Sequence, residues 1–144
     1  MSRFRRILVG WDGSRDARGA LRAAVRLGEE TGGEVVVLAV LQRHLQGEGA
    51  DESAEEIAGR RSEVVAEMTA ETHRRDPEGV RLRHEVIEAD RPALALDAYA
   101  REHGFDLVVL GRHGVDRAVR TRIGGLTEYE VRHSACPVMV VAGD

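Results

Sequence analysis

The sequence predicts an α/β protein built on a doubly wound, five-stranded parallel sheet with the strand order 3-2-1-4-5. Three observations support this prediction. Short apolar runs alternate with amphipathic helical segments, which is the βαβ pattern of a parallel sheet with helices on both faces. The third run alternates with charged residues, as an edge strand does. Right-handed crossovers then place the first and fourth strands side by side in the middle of the sheet.

The bulk composition is that of one globular domain spanning residues 1-144. Hydrophobic residues make up 42% and charged residues 32% of the chain, as in ordinary globular proteins. No apolar run approaches the ~20 residues that cross a bilayer, and the run behind the basic N-terminus is too short for a signal peptide. The single cysteine fits a reducing compartment. We therefore expect a cytoplasmic protein with no membrane partner.

The composition argues against a nucleic-acid interface and against a structural zinc site. The net charge of −4 disfavours non-specific nucleic-acid binding by the surface as a whole. One Trp, two Tyr and two Phe form no stacking platform for single strands. The six histidines lack the spacing of metal ligands, and the chain has a single cysteine as a possible further ligand. Neither a nucleic-acid partner nor a structural zinc site is expected.

The first two strands flank a capped helix. Residues 6–11 predict a short buried strand, and Ser14 is placed to cap the helix that follows. Gly32 and Gly33 end that helix, and the continuous apolar run 35–41 predicts a strand covered on both faces. The helix is indicated by an apolar stripe at helical spacing, namely Ala17, Ala20, Leu21, Ala24 and Val25.

The next unit supplies the edge strand. Ser53 and Glu56 form a capping-box pattern that predicts a helix to about His73, and residues 76–79 break the chain. The stretch beyond them alternates strictly between two kinds of residue, which indicates one wet face. Its inward set is Val80, Leu82, His84 and Val86, and its charged set is Arg81, Arg83 and Glu85.

The last two units complete the alternation. A helix is predicted from Pro92 to about Gly104, with Asp90 as a candidate cap. A buried strand follows at 106–110. After a loop rich in glycine and arginine, a helix at 126–134 leads to a final strand, Pro137 to Val141.

The glycine-rich segments fall where this topology predicts a ligand site. In a doubly wound sheet, ligands bind outside the carboxyl ends of the strands, where the winding reverses. Strands 1 and 4 end there, so the crevice is expected between Gly10–Gly13 and Leu110–Gly114. Gly111, Gly114 and Gly124 give the spacing G-x-x-G-x9-G.

The chemistry of this segment suits phosphate. Gly114 allows a close backbone approach to a ligand, and Gly124 and Gly125 precede a helix whose N–H groups and dipole favour an anion. Thr127 adds a hydroxyl, and the loop between is basic. Two alternatives to a phosphate site are open. The glycines are then ordinary residues at the ends of a strand and a helix, and the loop arginines are only hydrated. The basic residues are Arg112, Arg117, Arg120 and Arg122.

Two segments resemble the universal stress protein family. One is Arg6-Ile-Leu-Val-Gly-Trp-Asp-Gly-Ser14. The other runs from Gly111 to Val141 and contains Gly-Gly-Leu-Thr-Glu-Tyr-Glu-Val-Arg-His-Ser-Ala-Cys-Pro-Val-Met-Val-Val. The resemblance covers essentially the whole chain. It implies a Rossmann-like sheet related to the adenine-nucleotide α hydrolases, and a homodimer.

The resemblance also implies which residues would meet an adenine nucleotide (ATP, ADP or AMP), with any Mg²⁺ held by the phosphates. Asp12 and Val40 would face the adenine and ribose, and Gly124, Gly125 and Thr127 would hold the phosphates. Trp11 either covers a base or is an accidental surface aromatic. The full set of expected contacts is Trp11, Asp12, Gly13, Val40, Leu110, Gly111, His113, Gly114, Gly124, Gly125, Leu126 and Thr127.

This chain departs from the family pattern at two positions. Gly125 stands where nucleotide-binding members carry Ser or Thr, so one phosphate-facing hydroxyl is missing. The loss of one such hydrogen bond costs ~1 kcal/mol, about five- to tenfold in affinity. Asp90 stands where the family often has glycine, and it either caps the helix or adds a negative charge near the site.

Three functions therefore compete. The first is a nucleotide-binding regulatory stress protein. The second is a dimeric stress protein with a degraded site at Gly125. The third is a weak ATP hydrolase, which has the least support because the sequence shows no Walker loop and no evident base–nucleophile pair. An apolar final strand at the sheet edge predicts pairing with a second copy through Pro137 to Val141.

Overall fold

The computed structural model describes residues 4–42, 53–75, 79–113 and 124–143. Helices and strands alternate through these residues as the sequence predicts. The strands form one parallel sheet in the order β3-β2-β1-β4-β5, which confirms the predicted fold class. The elements are β1 (Arg6–Gly10), α1 (Arg15–Thr31), β2 (Glu34–Gln42), α2 (Ala54–Arg75), β3 (Arg81–Ala89), α3 (Pro92–Glu102), β4 (Leu107–Gly111), α4 (Gly125–His133) and β5 (Val138–Val141).

The sheet has a separate apolar core on each face. β1 lies between β2 and β4, with Leu8 opposite Val36 on one side and opposite Val108 on the other. On one face, residues of α1 and Met68 of α2 pack against the sheet. On the other, Leu96 and Tyr99 of α3 do so, with Leu126 of α4 at the margin. The sheet is therefore doubly wound, as predicted.

The helix signals read from the sequence are present at α1. Ser14 is its N-cap, and the Ser14 Oγ accepts a hydrogen bond from the Ala17 N–H at 3.1 Å. Gly32 ends the helix with φ +70°, a conformation that glycine adopts at no steric cost. Gly33 then passes so close to β1 that a Cβ would lie 2.7 Å from the Arg5 carbonyl oxygen.

Several boundaries differ by one residue from the sequence-based expectation, and so does one helix cap. Trp11 lies just beyond β1, although its backbone N–H still donates to the Leu38 carbonyl at 2.8 Å. α4 begins at Gly125. Asp90 is not the cap of α3: Arg91 occupies the N-cap position without a side-chain hydrogen bond, and Pro92 starts the helix. A proline at the first helical position has no N–H to satisfy, which lowers the need for a side-chain cap.

The two edge strands differ in character. β3 alternates exposed and partly buried residues at Arg81, Leu82 and Arg83, as the wet-face pattern predicts. β5 is apolar yet carries Met139 and Val140, which are 37% and 38% exposed. Within the described ranges, no helix is both long enough and apolar enough to cross a bilayer.

Candidate functional site

A cavity of about 210 Å³ lies at the carboxyl ends of β1 and β4. This is the point where the winding of the sheet reverses, and hence where the topology predicts a ligand. The cavity is lined by Gly10, Trp11, Asp12, Ser14, Ala17, Leu38, Val40, Pro92, Leu96, Leu110, Gly111, His113, Gly124, Gly125, Leu126 and Thr127.

Ten of the twelve expected contact residues line this one cavity. Gly13 is described but is not part of the lining. Gly114 lies outside the described residues, as do Arg117, Arg120 and Arg122 of the basic loop. The residues brought together are Trp11, Asp12, Val40, Leu110, Gly111, His113, Gly124, Gly125, Leu126 and Thr127.

One end of the cavity is apolar and closely packed. Trp11 is 6% exposed, and its indole N–H donates to Glu67 Oε1 at 3.2 Å. The interpretation of Trp11 as an accidental surface aromatic is therefore wrong, because the ring is part of the core beneath α1 and α2. Leu96 and Leu110, which also line the cavity, are almost fully buried. Such a surface suits a flat apolar group with a polar edge.

Asp12 forms the polar rim of this end. The side chain is exposed, and Asp12 Oδ1 accepts from the Ser14 N–H at 2.9 Å, which makes an Asx turn. Gly13 adopts φ +79° within that turn, where a Cβ would lie 2.7 Å from Glu67 Oε1. The turn uses one carboxylate oxygen of Asp12, and the second belongs to the cavity rim.

The opposite end of the cavity is the N-terminus of α4. The helix has no side-chain cap, and the Gly124 N–H donates to the Arg112 carbonyl at 2.9 Å. The first turn of α4 lines the cavity, and among the described residues no side chain caps its backbone N–H groups, an arrangement that resembles anion sites at helix N-termini. A Cβ at Gly125 would meet nothing within 4 Å, so steric crowding does not explain the glycine at this position.

Thr127 does not present its hydroxyl proton to the cavity. The residue is 5% exposed, and its Oγ1–H donates to the Gly111 carbonyl at 2.7 Å. A hydroxyl has one proton to donate. In this arrangement the hydroxyl ties α4 to the end of β4, and the backbone N–H groups remain as the donors for an anion.

Asp16 holds the cavity-lining residue His113 in place, and the sequence analysis missed it. Asp16 is 8% exposed in the first turn of α1. Asp16 Oδ2 accepts from the His113 N–H at 2.9 Å and lies 3.0 Å from His113 Nδ1. Its Oδ1 accepts from the Gly143 N–H at 2.8 Å. One carboxylate thus joins the start of α1 to the segments that follow β4 and β5.

These hydrogen bonds set the protonation of Asp16. Burial alone would raise its pKa, but the N–H donors of His113 and Gly143, together with the His113 ring, outweigh burial and lower the pKa. Asp16 is therefore ionised at neutral pH, with both oxygens already engaged. It holds the start of α1 against His113 and Gly143.

Gly111 is required by the same close packing. A Cβ at this position would lie 2.7 Å from Asp16 Cβ and 2.8 Å from the Asp16 carbonyl carbon. Real Cβ atoms do not approach this closely, so any larger residue would push β4 away from α1. The glycine that the sequence motif singles out thus serves the packing of β4 on α1 as well as the cavity wall.

The lining as a whole suits binding. The described residues of the chain contain no group of three or more His, Cys, Asp or Glu that could hold a metal ion. His113 Nδ1 is paired with Asp16. What remains for a ligand is apolar surface at one end, a carboxylate at the rim and backbone N–H groups at the other end.

Comparison with known proteins gives one consistent result. The family model described as "Universal stress protein family" matches residues 3–142. A universal stress protein of Methanocaldococcus jannaschii is 27% identical over 140 residues, which cover 96% of this chain and 82% of that protein.

Solved structures agree with the sequence comparison. A protein of the universal stress protein family from Burkholderia pseudomallei is 25% identical and has a TM-score of 0.77, with 98% of both chains covered. A universal stress protein from Archaeoglobus fulgidus, solved in complex with dAMP, is 18% identical and has a TM-score of 0.70, with 97% of this chain and 99% of that chain covered. At that identity the likeness shows the fold alone.

Proposed function

The chain belongs to the universal stress protein family, and we propose that it binds an adenine nucleotide in the cavity at the carboxyl ends of β1 and β4. The observation that carries the proposal is the convergence of ten expected contact residues on one cavity, which has an apolar end and the N-terminus of a helix in its lining. Adenine would lie against the apolar end beside Val40, the ribose near Asp12, and the phosphates at the start of α4.

The size of the cavity favours the nucleoside part of the ligand. About 210 Å³ is below the roughly 300–1,000 Å³ of typical ligand pockets, so a base and a sugar are the parts of the ligand that the described walls would enclose. The phosphate chain would extend past Gly124 toward solvent. The dAMP complex of the Archaeoglobus fulgidus relative supports an adenine nucleotide as the ligand class. We propose ATP as the physiological member, with a regulatory role in the stress response.

We expect calorimetric titration with ATP and magnesium to detect binding. The Gly124→Val variant should lose it, because the added side chain would occupy the phosphate path before α4. The Gly125→Ser variant should bind about five- to tenfold more tightly, because a hydroxyl fits the open space there and adds one hydrogen bond. Absence of heat and of thermal stabilisation at millimolar ATP in the parent protein would contradict the proposal.

A second candidate function is a stress protein that acts without nucleotide. The engaged hydroxyl of Thr127 and the missing hydroxyl at Gly125 both reduce the number of phosphate donors. Under this alternative, Gly125→Ser would restore binding that the parent protein lacks. The two candidates therefore predict different results when the parent protein is titrated with nucleotide, and both predict that Gly125→Ser binds it.

We also propose a homodimer formed through β5. The strand is at the sheet edge, and its exposed Met139 and Val140 would be covered by the same strand of a second copy about a two-fold axis. Val140→Arg should shift the protein from dimer to monomer in sedimentation. Leu94→Arg, which changes an equally exposed apolar residue of α3, should leave the dimer intact. A monomeric parent protein at micromolar concentration would overturn this proposal.

A further inference from the structure

The indole ring of Trp11 is held from outside the cavity at the carboxyl ends of β1 and β4. Trp11 lines that cavity and is 6% exposed. Its ring N–H donates to Glu67 Oε1 at 3.2 Å. Glu67 is an exposed residue of α2 and stands outside the set of lining residues. A carboxylate beyond the cavity thus accepts the hydrogen bond of a ring that forms part of the cavity wall.

The turn of α2 that carries Glu67 is packed against the rest of the fold. Met68, the next residue, is 1% exposed and belongs to the core on that face of the sheet. Glu71, one turn further along α2, accepts from Arg18 Nε of α1 at 3.1 Å. The backbone that bears Glu67 is therefore anchored both to the sheet and to α1, so the carboxylate reaches Trp11 from a supported position.

Glu67 also contacts the turn that presents Asp12. Gly13 has φ +79°, and a Cβ at this position would lie 2.7 Å from Glu67 Oε1, so the carboxylate lies directly against the turn. Within the same turn, Asp12 Oδ1 accepts from the Ser14 N–H at 2.9 Å. Glu67 thus touches both chain neighbours of Asp12, and Asp12 itself lines the cavity.

A buried indole N–H needs an acceptor, and this need alone is the simplest account of the contact between Trp11 and Glu67. Two observations go further. The ring has the cavity on one side, so a change in its tilt alters the wall that a ligand would meet. The oxygen that accepts from the indole is also the one that lies against Gly13, so loss of the carboxylate would free the ring and the turn together.

We propose that Glu67 is a positioning residue for the base end of the cavity: it holds Trp11 and the Asp12 turn in the arrangement that takes the nucleoside part of an adenine nucleotide. The proposal rests on the proposed nucleotide function and adds to it a residue that touches no ligand. It concerns the apolar end of the cavity, since the phosphates would lie at the start of α4. Loss of Glu67 should therefore weaken the binding of adenosine and of ATP by the same factor.

Titration calorimetry with adenosine, and separately with ATP and magnesium, tests this proposal. Glu67→Ala should weaken both ligands about three- to tenfold, because the binding-competent arrangement becomes one of several that Trp11 and the turn adopt. Glu67→Gln should stay within about twofold of the parent protein, because its amide oxygen can accept from the indole N–H. The two variants remove the same charge, so the difference between them isolates the hydrogen bond.

Two further variants serve as controls. Glu63 is exposed on α2, four residues before Glu67, and Glu63→Ala changes the net charge by the same amount; both affinities should change less than about twofold. Gly124→Val should lose ATP binding and keep adenosine binding, because the added side chain lies on the phosphate path. Glu63 and Glu67 are both exposed, so their variants should keep the fold.

The fluorescence of Trp11 gives a readout that needs no nucleotide, because Trp11 is the one tryptophan of the chain. Without its acceptor the ring should become more accessible to water. Quenching of the emission by acrylamide should therefore rise in Glu67→Ala and stay at the parent level in Glu67→Gln and Glu63→Ala.

The outcomes separate this proposal from the nucleotide function on which it rests. Absence of adenosine and ATP binding in the parent protein would contradict that function, and the proposal with it. Three results with a parent protein that binds would overturn the proposal alone: binding that Glu67→Ala leaves unchanged, equal weakening by Glu67→Ala and Glu67→Gln, or a loss in Glu67→Ala confined to ATP. Unchanged quenching of Trp11 in Glu67→Ala would overturn it as well.

Discussion

Replacing Glu130 with leucine is expected to stabilise the protein by up to about 3 kcal/mol near pH 8, and by much less near pH 4. Glu130 lies on α4 and is 0% exposed. Neither of its carboxylate oxygens has a hydrogen-bond partner among the described residues, and Asp97 Oδ1 on α3 is likewise buried without one. A leucine of similar size would fill the same space without an ionisable group.

The pH dependence follows from the direction of the pKa shift. Burial, followed by the negative charge of Asp97, raises the pKa of Glu130 from 4.5 to about 7. Folding therefore favours the protonated acid. Below the unfolded pKa both states are protonated and the ionisation penalty is absent. Between the two pKa values, stability falls by about 1.4 kcal/mol per pH unit, and above pH ~7 the full penalty remains.

Urea unfolding of the parent protein and of Glu130→Leu between about pH 4 and pH 8 measures this difference. Glu128→Leu is the matched control, because Glu128 lies on the same helix with its side chain 55% exposed and paired with Arg132. Its effect should stay within about 0.5 kcal/mol at every pH. A stability gain for Glu130→Leu that does not change with pH would show that the buried acid is not protonated in the fold.

The sequence predicts the strand order and the place of the cavity because both follow from local patterns. The alternation at Arg81, Leu82 and Arg83 marks an edge strand without reference to any distant residue. The glycines at Gly111 and Gly124 mark the ends of elements that the topology then brings together. Periodicity and connection rules suffice for such features.

Other features of the site depend on contacts between residues far apart in the chain, which no local pattern reports. Trp11 is in the core because Glu67, more than fifty residues later, accepts its indole proton. Asp16 meets His113 across 97 positions. An acid in the first turn of a helix is expected from the helix dipole alone, so Asp16 carries no sequence signal that separates a structural hub from an ordinary first-turn acid.

Asp16 is the second residue for which a large effect is expected, because its carboxylate accepts three hydrogen bonds. Asp16→Ala should destabilise the protein by about 2–4 kcal/mol at neutral pH, because the N–H groups of His113 and Gly143 would lose their acceptor in a partly buried place. The same loss would release the end of β4 from α1, and with it one wall of the cavity at the carboxyl ends of β1 and β4. Nucleotide affinity should therefore fall together with stability.

The pH dependence of this effect distinguishes a charged hub from a packing defect. The folded pKa of Asp16 is lowered from its ordinary value of 3.8, so the stabilisation that Asp16 supplies is present above that value and is lost as the pH falls through the folded pKa. The cost of Asp16→Ala should thus be largest near neutrality and shrink as the pH falls below 3.8. Asp90→Ala, at an exposed position, controls for the change in net charge and should cost less than about 0.5 kcal/mol. Asp16→Asn keeps one acceptor oxygen, and its cost in stability should lie between those of Asp90→Ala and Asp16→Ala.

An Asp16→Ala cost that stays constant from neutral to acidic pH would mean that the carboxylate charge does not hold these segments together, and that the side chain acts through packing alone.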